Sequence, residues 1–497
     1  MFDRSITLTD QLRSNQWVSG LLVGLYAAAT GWLIGNFGIL GGLMAVGLPV
    51  GVFVLGSILV QPKIGLFIYL NLSFMLSMTR FLTIDFPMGT VLDGLLVLTL
   101  VSAFLNGKRM DWKRLKHPVF LLIIIWLAYT LLEYFNPDAP YRPAWFYHIR
   151  SFSLNWFLMA IVVLVLPISR RDIRWFVGIW LTWSFLGALW AFKQQYIGLT
   201  PSEQAWLASG AERTHVLWGQ LRSFSFYSDA GQFGSEMAGV TLLCLIWFFE
   251  DRSLIRKVLF VFLAAIYFWG FAVSGTRSAL FVLVGGYPVY LFMLRRVGPV
   301  LRGIAVAAPV LAILMFTHLG DSNYQIYRIR TALRPTQDAS FLVRLENQQK
   351  LRNYMKDLPF GAGIGSSSGA GVRFSPNHFA AQIAPDSWYV QLWIETGIVG
   401  VSIYILMLIG IVLLGVRAIW QLNDNWLRIV MIALLAEFVG MALTSYSNPI
   451  LGQFPTSTTL YITSILFTTC KRWDTEPEEL ARPASRYANQ QRYAPVY

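Results

Sequence analysis

Long apolar stretches occupy most of this 497-residue chain, and they constrain its fold more than any other feature. A helix that crosses the hydrocarbon core of a bilayer needs roughly 20 apolar residues. Hydrophobic residues make up 56% of the chain, charged residues make up 13%, and the mean hydropathy is +0.54. A water-soluble domain could not bury so much apolar surface. We therefore predict an all-α fold and a polytopic integral membrane protein.

The apolar stretches predict about fourteen transmembrane helices, within a range of about 12–14. Glycines at positions 35, 38, 41 and 42 blur the turn between the first two of them. The predicted helices are 18–35, 38–60, 64–79, 89–106, 117–135, 151–168, 173–192, 233–250, 254–272, 278–295, 299–318, 387–416, 426–445 and 455–470.

Four basic loops indicate the orientation of these helices. Each loop is separated from the next by two predicted helices, so all four fall on one side of the membrane. Cytoplasmic loops carry an excess of Lys and Arg, so we assign that side, and both termini, to the cytoplasm. The net charge of +13 then reflects membrane anchoring, and we predict no nucleic-acid partner. The loops carry Lys108, Arg109, Lys113, Arg114 and Lys116; Arg170, Arg171 and Arg174; Arg252, Arg256 and Lys257; and Arg295, Arg296 and Arg302.

This alternation divides the chain into four parts. The first holds the first eleven helices with an external loop at 193–232. The second is a large external loop in which apolar residues at helical spacing predict an amphipathic helix at 340–358. The third holds the last three helices, and the fourth is a polar, disordered cytoplasmic tail. The four parts are 1–318, 319–386, 387–470 and 471–497.

Three arginines on the external side are candidates for binding a phosphate group. Arg277 lies in Val273-Ser-Gly-Thr-Arg-Ser278, at the predicted start of a helix, where free backbone N–H groups favour anions. Arg222 and Arg344 lie on the same side, and a guanidinium fork suits a diphosphate because it binds two oxygens at once. The alternatives are an interfacial arginine that snorkels to the headgroups and solvated loop charges.

Carboxylates and histidines on the same side are candidates for proton transfer. Asp386 precedes the predicted helix 387–416, where it and Ser387 could equally cap the helix N-terminus. Glu395 lies further along that helix. His378 and His215 could titrate near neutral pH, although a single loop histidine is usually solvated. The two cysteines, Cys244 and Cys470, lie far apart in apolar segments, so we predict no metal site and no cofactor.

Four motifs follow one another between about residues 220 and 400. They are Arg222-Ser-Phe-Ser-Phe-Tyr-Ser-Asp-Ala-Gly-Gln-Phe233, Ser274-Gly-Thr-Arg-Ser-Ala-Leu280, Arg344 followed by Leu358-Pro-Phe-Gly-Ala-Gly-Ile-Gly365, and Asp386-Ser-Trp-Tyr-Val-Gln-Leu-Trp-Ile-Glu-Thr-Gly-Ile-Val-Gly400. In this order and spacing they resemble the O-antigen ligase and polysaccharide polymerase family of bacterial membrane glycosyltransferases, and the set is more specific than any one motif. One departure concerns Asp386, because the family typically has a histidine at this position, and the nearest histidine here is His378.

The resemblance implies transfer of a glycan from a polyprenyl-diphosphate carrier to an acceptor glycan or glycolipid, on the outer face of the bacterial cytoplasmic membrane. It implies that Arg222, Arg277 and Arg344 bind the diphosphate, in a groove that faces membrane lipid. Asp386 or His378 would act as the base or position the acceptor. Glu395 would support them.

Two other functions fit a polytopic membrane protein. A transporter or flippase for a lipid-linked or anionic solute would be expected to have pseudo-symmetric halves and charges at the membrane midplane. No inverted repeat is visible, and the charged residues favour one side. A non-catalytic scaffold of a polysaccharide export system is the third possibility, which the departure at Asp386 keeps open.

Overall fold

The structure, a computed structural model, describes residues 16–81, 87–295 and 339–474, with a few single residues between 298 and 330. The predicted helix 299–318 lies almost wholly outside the described residues. Most of the interval 319–338 and the predicted tail from residue 475 onward also lie outside them.

Helices form nearly all of the described chain, which confirms the predicted all-α fold. The only strands among the described residues are β1 (Val216–Leu217) and β2 (Gln220–Leu221), which pair antiparallel. The helices are α1 Gln16–Phe37, α2 Ile39–Val60, α3 Pro62–Met75, α4 Met88–Leu105, α5 Pro118–Leu132, α6 Ala144–Ile149, α7 Asn155–Val165, α8 Arg170–Phe192, α9 Pro201–Trp206, α10 Glu212–His215, α11 Ala230–Glu250, α12 Leu254–Ser274, α13 Leu280–Leu294, α14 Ala339–Tyr354, α15 Ser368–Phe374, α16 Phe379–Gln382, α17 Trp388–Ile419, α18 Asn425–Thr444 and α19 Thr456–Thr468.

Within the described residues, nine helices are long and apolar enough to cross a membrane. The protein is therefore a polytopic membrane protein, and the total of about fourteen helices stays a prediction. The nine are Met88–Leu105, Pro118–Phe135, Ala144–Val165, Arg170–Ile197, Ala230–Glu250, Leu254–Ser274, Arg277–Leu294, Trp388–Ile419 and Asn425–Thr444.

Two helices lie at the centre of the bundle. In the most apolar stretch of each helix, 83% of α11 and 78% of α18 is buried inside the protein. The corresponding shares for α12 and α13 are 33% and 28%. A helix that is apolar all round and buried belongs in the interior, and one with an exposed apolar face belongs next to lipid. The shorter α19 is also buried and packs against α18 and α17.

Small residues let the central helices approach their neighbours. A Cβ added to Gly234 of α11 would lie 2.2 Å from the Ser274 hydroxyl of α12. A Cβ added to Gly440 of α18 would lie 2.5 Å from the Val282 carbonyl oxygen of α13. Glycine is favoured at such contacts because it allows the two backbones to meet closely.

The helices give the bundle two chemically distinct ends. At one end the start of α11 meets the end of α12, where the Thr276 hydroxyl donates to the Ala230 carbonyl over 2.6 Å. The end of α18 lies there too. We call this the site end. At the opposite end, which we call the arginine-rich end, α8 and α18 begin, and the Arg174 guanidinium lies 5.0 Å from the Trp426 ring.

Candidate functional site

The glycine-rich turn of the third motif inserts into helix α17. The Ala362 N–H donates to the Ile394 carbonyl over 2.8 Å, and the Val399 N–H donates to the Pro359 carbonyl over 3.3 Å. These bonds accompany a break in the helix at Gly397, whose φ is +65°. The predicted helix 387–416 is therefore observed as Trp388–Ile419 with a break in its first third, because the turn takes over backbone partners that a continuous helix would supply.

The Glu395 side chain joins the glycine-rich turn to helix α17 by hydrogen bonds. Its side chain is fully buried, and it accepts hydrogen bonds from the Gly365 N–H over 2.7 Å and from the Ser367 hydroxyl over 2.6 Å. A carboxylate with two such donors is held in one orientation. Glu395 therefore holds the glycine-rich turn against α17, and its predicted role in supporting the base stays a prediction.

Arg222 and the turn that carries Arg277 lie against each other. The Arg222 guanidinium donates to the Ser274 carbonyl over 3.1 Å and to the Thr276 hydroxyl over 3.0 Å. It also donates to the Thr214 carbonyl over 2.7 Å. The structure thus brings together the first two motifs, which are about 50 residues apart.

The segment after α18 joins this cluster to the start of α17. The Asn448 side-chain amide donates to the Ser278 hydroxyl over 2.6 Å, next to Arg277. On the other side, the Trp388 N–H donates to the Ser445 carbonyl over 3.0 Å. Sequence reasoning missed this segment, because neither Ser445 nor Asn448 carries a charge or a motif that distinguishes it.

Asp386 lies just before the N-cap of α17, and Arg344 lies in its electrostatic environment. Its backbone has a φ of +48°, which is uncommon for a residue other than glycine. Surrounding protein raises the pKa of the Asp386 carboxyl, and the Arg344 cation opposes that shift. The side chain remains exposed. Ser387 caps the helix instead, accepting from the Val390 N–H over 3.4 Å.

Helix α14 brings Arg344 to this position. Its buried Leu351 packs against Val390 and Ile394 of α17. The helix spans Ala339–Tyr354 and a 3₁₀ turn extends it to Asp357, where the sequence predicts an amphipathic helix at 340–358. The contact of Leu351 with α17 therefore places α14 beside the start of that helix, whereas Leu345 is exposed.

His378 lies on the α14 side of the site. Its Nε2 is 3.1 Å from the Tyr354 hydroxyl, and its side chain is half-buried. Burial lowers the pKa of His378, which favours the neutral imidazole over the charged form. The other histidine that the sequence places on the external side, His215, is buried, and its Nε2 accepts from the Ala230 N–H over 3.1 Å. That bond gives His215 a structural role at the start of α11.

A further histidine, His148, was not identified by sequence reasoning. The Gln391 side-chain amide donates to His148 Nε2 over 3.0 Å, and the same nitrogen lies 3.9 Å from a Glu395 carboxylate oxygen. The side chain is 20% exposed. Because His148 comes from α6, no local pattern links it to α17. It adds an imidazole ring to the polar side chains on one face of α17.

The described parts of the chain contain no cluster of three or more His, Cys, Asp or Glu side chains with the geometry of a metal site. The cationic side chains that the sequence nominates are Arg222, Arg277 and Arg344. They come from three separate parts of the chain and converge on one end of the bundle.

The family comparison covers the middle of this region. Residues 260–405 match a family model described as O-Antigen ligase. The resemblance predicted from the sequence is thereby confirmed for this segment, which we call the ligase segment. It contains Arg277, Arg344 and Asp386, and it ends after the break at Gly397. No curated protein matches the chain.

The ligase segment supports a membrane enzyme of glycan transfer at the level of the family. Arg222 and the segment at 445–455 lie outside it, yet both contact it directly. The candidate site therefore combines the ligase segment with flanking residues that the family model does not cover.

Proposed function

We propose that this protein is a glycosyltransferase that moves a glycan from a polyprenyl-diphosphate carrier to a sugar hydroxyl of an acceptor glycan or glycolipid. The observation that carries the proposal is the continuous set of contacts from Arg222 through the Arg277 turn and Asn448 to the start of α17. This set joins cationic groups to a carboxylate at one end of a membrane bundle. The donor's diphosphate and the acceptor's hydroxyl need those two kinds of group.

The proposed reaction is a displacement at the anomeric carbon of the donor. The acceptor oxygen forms a bond to this carbon as the bond to the diphosphate oxygen breaks, and polyprenyl diphosphate leaves. Arg277 and Arg344 oppose the negative charge that grows on the leaving group. Arg222 donates three hydrogen bonds to protein oxygens. Its proposed role is therefore to position the Arg277 turn and to add to the positive potential of the site.

Asp386 is the better candidate for the base that takes the acceptor's proton. It precedes α17 in an exposed position, and its raised pKa makes the carboxylate a stronger base than an ordinary aspartate. His378 is the second candidate, held by Tyr354. With the basic loops in the cytoplasm, the site end faces the outside of a bacterial cytoplasmic membrane, and both termini are cytoplasmic.

The test uses cells whose only copy of the gene encodes Arg277→Ala, Arg344→Ala, Asp386→Asn or His378→Gln, at matched protein level. Polysaccharide length and the amount of lipid-linked donor are measured together. We expect the two arginine variants and one of the other two to lose long glycan while donor accumulates on the outer face. Arg417→Ala, in the last turn of α17 at the opposite end, is the control.

Normal glycan in all four variants would overturn the proposal. Accumulation of donor on the cytoplasmic face alone would overturn it too, in favour of transport. Transfer of glycan from donor to acceptor by the purified protein in detergent would exclude the third possibility, a non-catalytic scaffold.

A further inference from the structure

A cavity of about 380 Å³ lies at the arginine-rich end, between α8, α11, α12 and α18. It is remote from the candidate site, because α11, α12 and α18 each run from one end of the bundle to the other. Arg174, Arg252 and Arg256 line it, together with apolar side chains such as Val177, Phe260 and Ile429. A concave site of this volume can hold part of a small amphipathic molecule.

The acidic side chains in this cavity are already engaged. Glu250 accepts from the Tyr290 hydroxyl over 2.8 Å. Asp251 accepts from the Ser253 N–H over 2.7 Å and pairs with Arg256 over 3.0 Å. The cavity is thus lined by three arginines and two carboxylates, so its polar end carries a net positive charge. Arg252 is exposed.

The apolar wall reaches far below the arginines. Leu181 lines the cavity and lies seven residues beyond Arg174 on α8, which is roughly 10 Å along the helix at about 1.5 Å per residue. There the Tyr267 hydroxyl donates to the Leu181 carbonyl over 2.8 Å, which joins α12 to α8 and marks the bottom of the gap. A free anion would use the arginines and leave this wall without a function. A lipid has a phosphate for the polar end and an acyl chain for the wall.

We infer that this cavity binds one anionic phospholipid of the leaflet at the arginine-rich end, with the headgroup phosphate at Arg252 and Arg256 and an acyl chain along α8 toward Leu181. The site is separate from the proposed glycan transfer and does not depend on it. Its ligand is an ordinary membrane lipid rather than a substrate.

The experiment measures phosphatidylglycerol and phosphatidylcholine binding to the purified full-length protein by native mass spectrometry. Wild type is expected to retain phosphatidylglycerol in preference to phosphatidylcholine. Arg252→Gln and Arg256→Gln are each expected to weaken phosphatidylglycerol binding about fivefold. Arg171→Gln, on the same helix as Arg174 but outside the cavity, is the control for charge and should change nothing.

A second variant tests whether an acyl chain lies along the apolar wall of the cavity. Gly178 lines the cavity, and a Cβ there would meet no atom within 4 Å, so Gly178→Leu fills the space without a backbone clash. It is expected to reduce binding of phosphatidylglycerol while the thermal unfolding midpoint stays unchanged. Gly94→Leu is the matched control, because Gly94 is also an exposed helical glycine with open space around it.

Three outcomes would overturn the inference. In the first, phosphatidylcholine binds as tightly as phosphatidylglycerol to wild type, which makes the cavity a non-selective lipid groove. In the second, the arginine and Gly178 variants retain wild-type lipid binding. In the third, inorganic phosphate displaces phosphatidylglycerol completely and Gly178→Leu has no effect, which makes the ligand a free phosphate. Because the readout is lipid binding, none of these outcomes bears on glycan transfer.

Discussion

Gly361 and Gly397 meet backbone to backbone, although 36 positions separate them in the sequence. A Cβ on Gly361 would lie 2.5 Å from the Gly397 nitrogen, and a Cβ on Gly397 would lie 2.0 Å from the Pro359 carbonyl oxygen. Both residues have positive φ, at +82° and +65°. The third and fourth family motifs are therefore two halves of one local structure.

We predict that Gly361→Ala and Gly397→Ala each destabilise the protein by at least about 2 kcal/mol, because a methyl group meets backbone and the positive φ is unfavourable for alanine. The midpoint of thermal unfolding in detergent measures the effect. Gly369→Ala is the control, since a Cβ there meets nothing within 4 Å and its φ is not in the left-handed region. Equal stability of all three variants would contradict the close approach.

Glu395 and Ser367 are expected to act as one unit. Glu395→Gln should cost about 1–3 kcal/mol of stability, because a buried hydrogen bond to a charged acceptor is weakened. Ser367→Ala removes the hydroxyl donor, and the double variant should be less destabilised than the sum of the two. A double-mutant cycle on the unfolding free energy measures the coupling. Strict additivity would indicate that the bond contributes nothing to holding the glycine-rich turn.

The pH dependence of transfer should report on Asp386 and Arg344. If Asp386 is the base, activity requires its ionised form and falls as the pH drops through its pKa. The surrounding protein raises that pKa by displacing water and Arg344 holds it down, so Arg344→Gln should move the acidic limb of the pH–activity profile to higher pH. Asp386→Asn should abolish the limb.

The quantity to compare in this test is the pH at which activity falls on the acidic side, and not the maximal rate, because Arg344 is also proposed to bind the donor. Arg352→Gln, which changes an exposed arginine on the same helix, should leave the limb where it is. A limb unmoved by Arg344→Gln would assign the proton transfer to another group, with His378 tested next.

The buried carboxylate of Glu203 should make the 193–203 connection sensitive to acid. Burial alone would raise its pKa, but hydrogen bonds from Lys193, the Thr200 backbone, Gln194 and Trp190 outweigh burial and lower it from 4.5 to about 2. The stabilisation is therefore complete above the unfolded-state pKa near 4.5 and is lost as the pH falls toward 2. Native-state proteolysis of this connection across that pH range measures the loss.

Lys193→Met should remove most of that acid sensitivity and destabilise the protein at pH 7 by about 2 kcal/mol, since it leaves the buried carboxylate without its cation. Lys350→Met is a contrasting control, because its pair with Glu346 over 2.8 Å is solvent-exposed. Exposed ion pairs contribute little, so no measurable change is expected there. Equal effects from the two variants would argue against a buried Lys193–Glu203 pair.

The sequence by itself determined the class of fold, and it nominated candidate residues for the site. Apolar stretches long enough to span a bilayer leave a chain almost no alternative to transmembrane helices, because every backbone polar group must be satisfied within the segment. The arginines, Asp386 and Glu395 could be nominated because ionisable groups stand out against an apolar background. Local patterns also predict a helix around Arg344, since apolar residues including Leu351 recur at helical spacing there.

Only the tertiary structure decided how these residues meet. Asn448 reaches Ser278 across 170 positions, and Gly365 reaches Glu395 across 30. No local pattern encodes such distances, because they depend on which helices pack side by side. The same reason explains why His148 went unnoticed and why His215 was expected in solvent. Helix formation follows from neighbours in sequence, whereas the geometry of a membrane site follows from packing between segments that are distant along the chain.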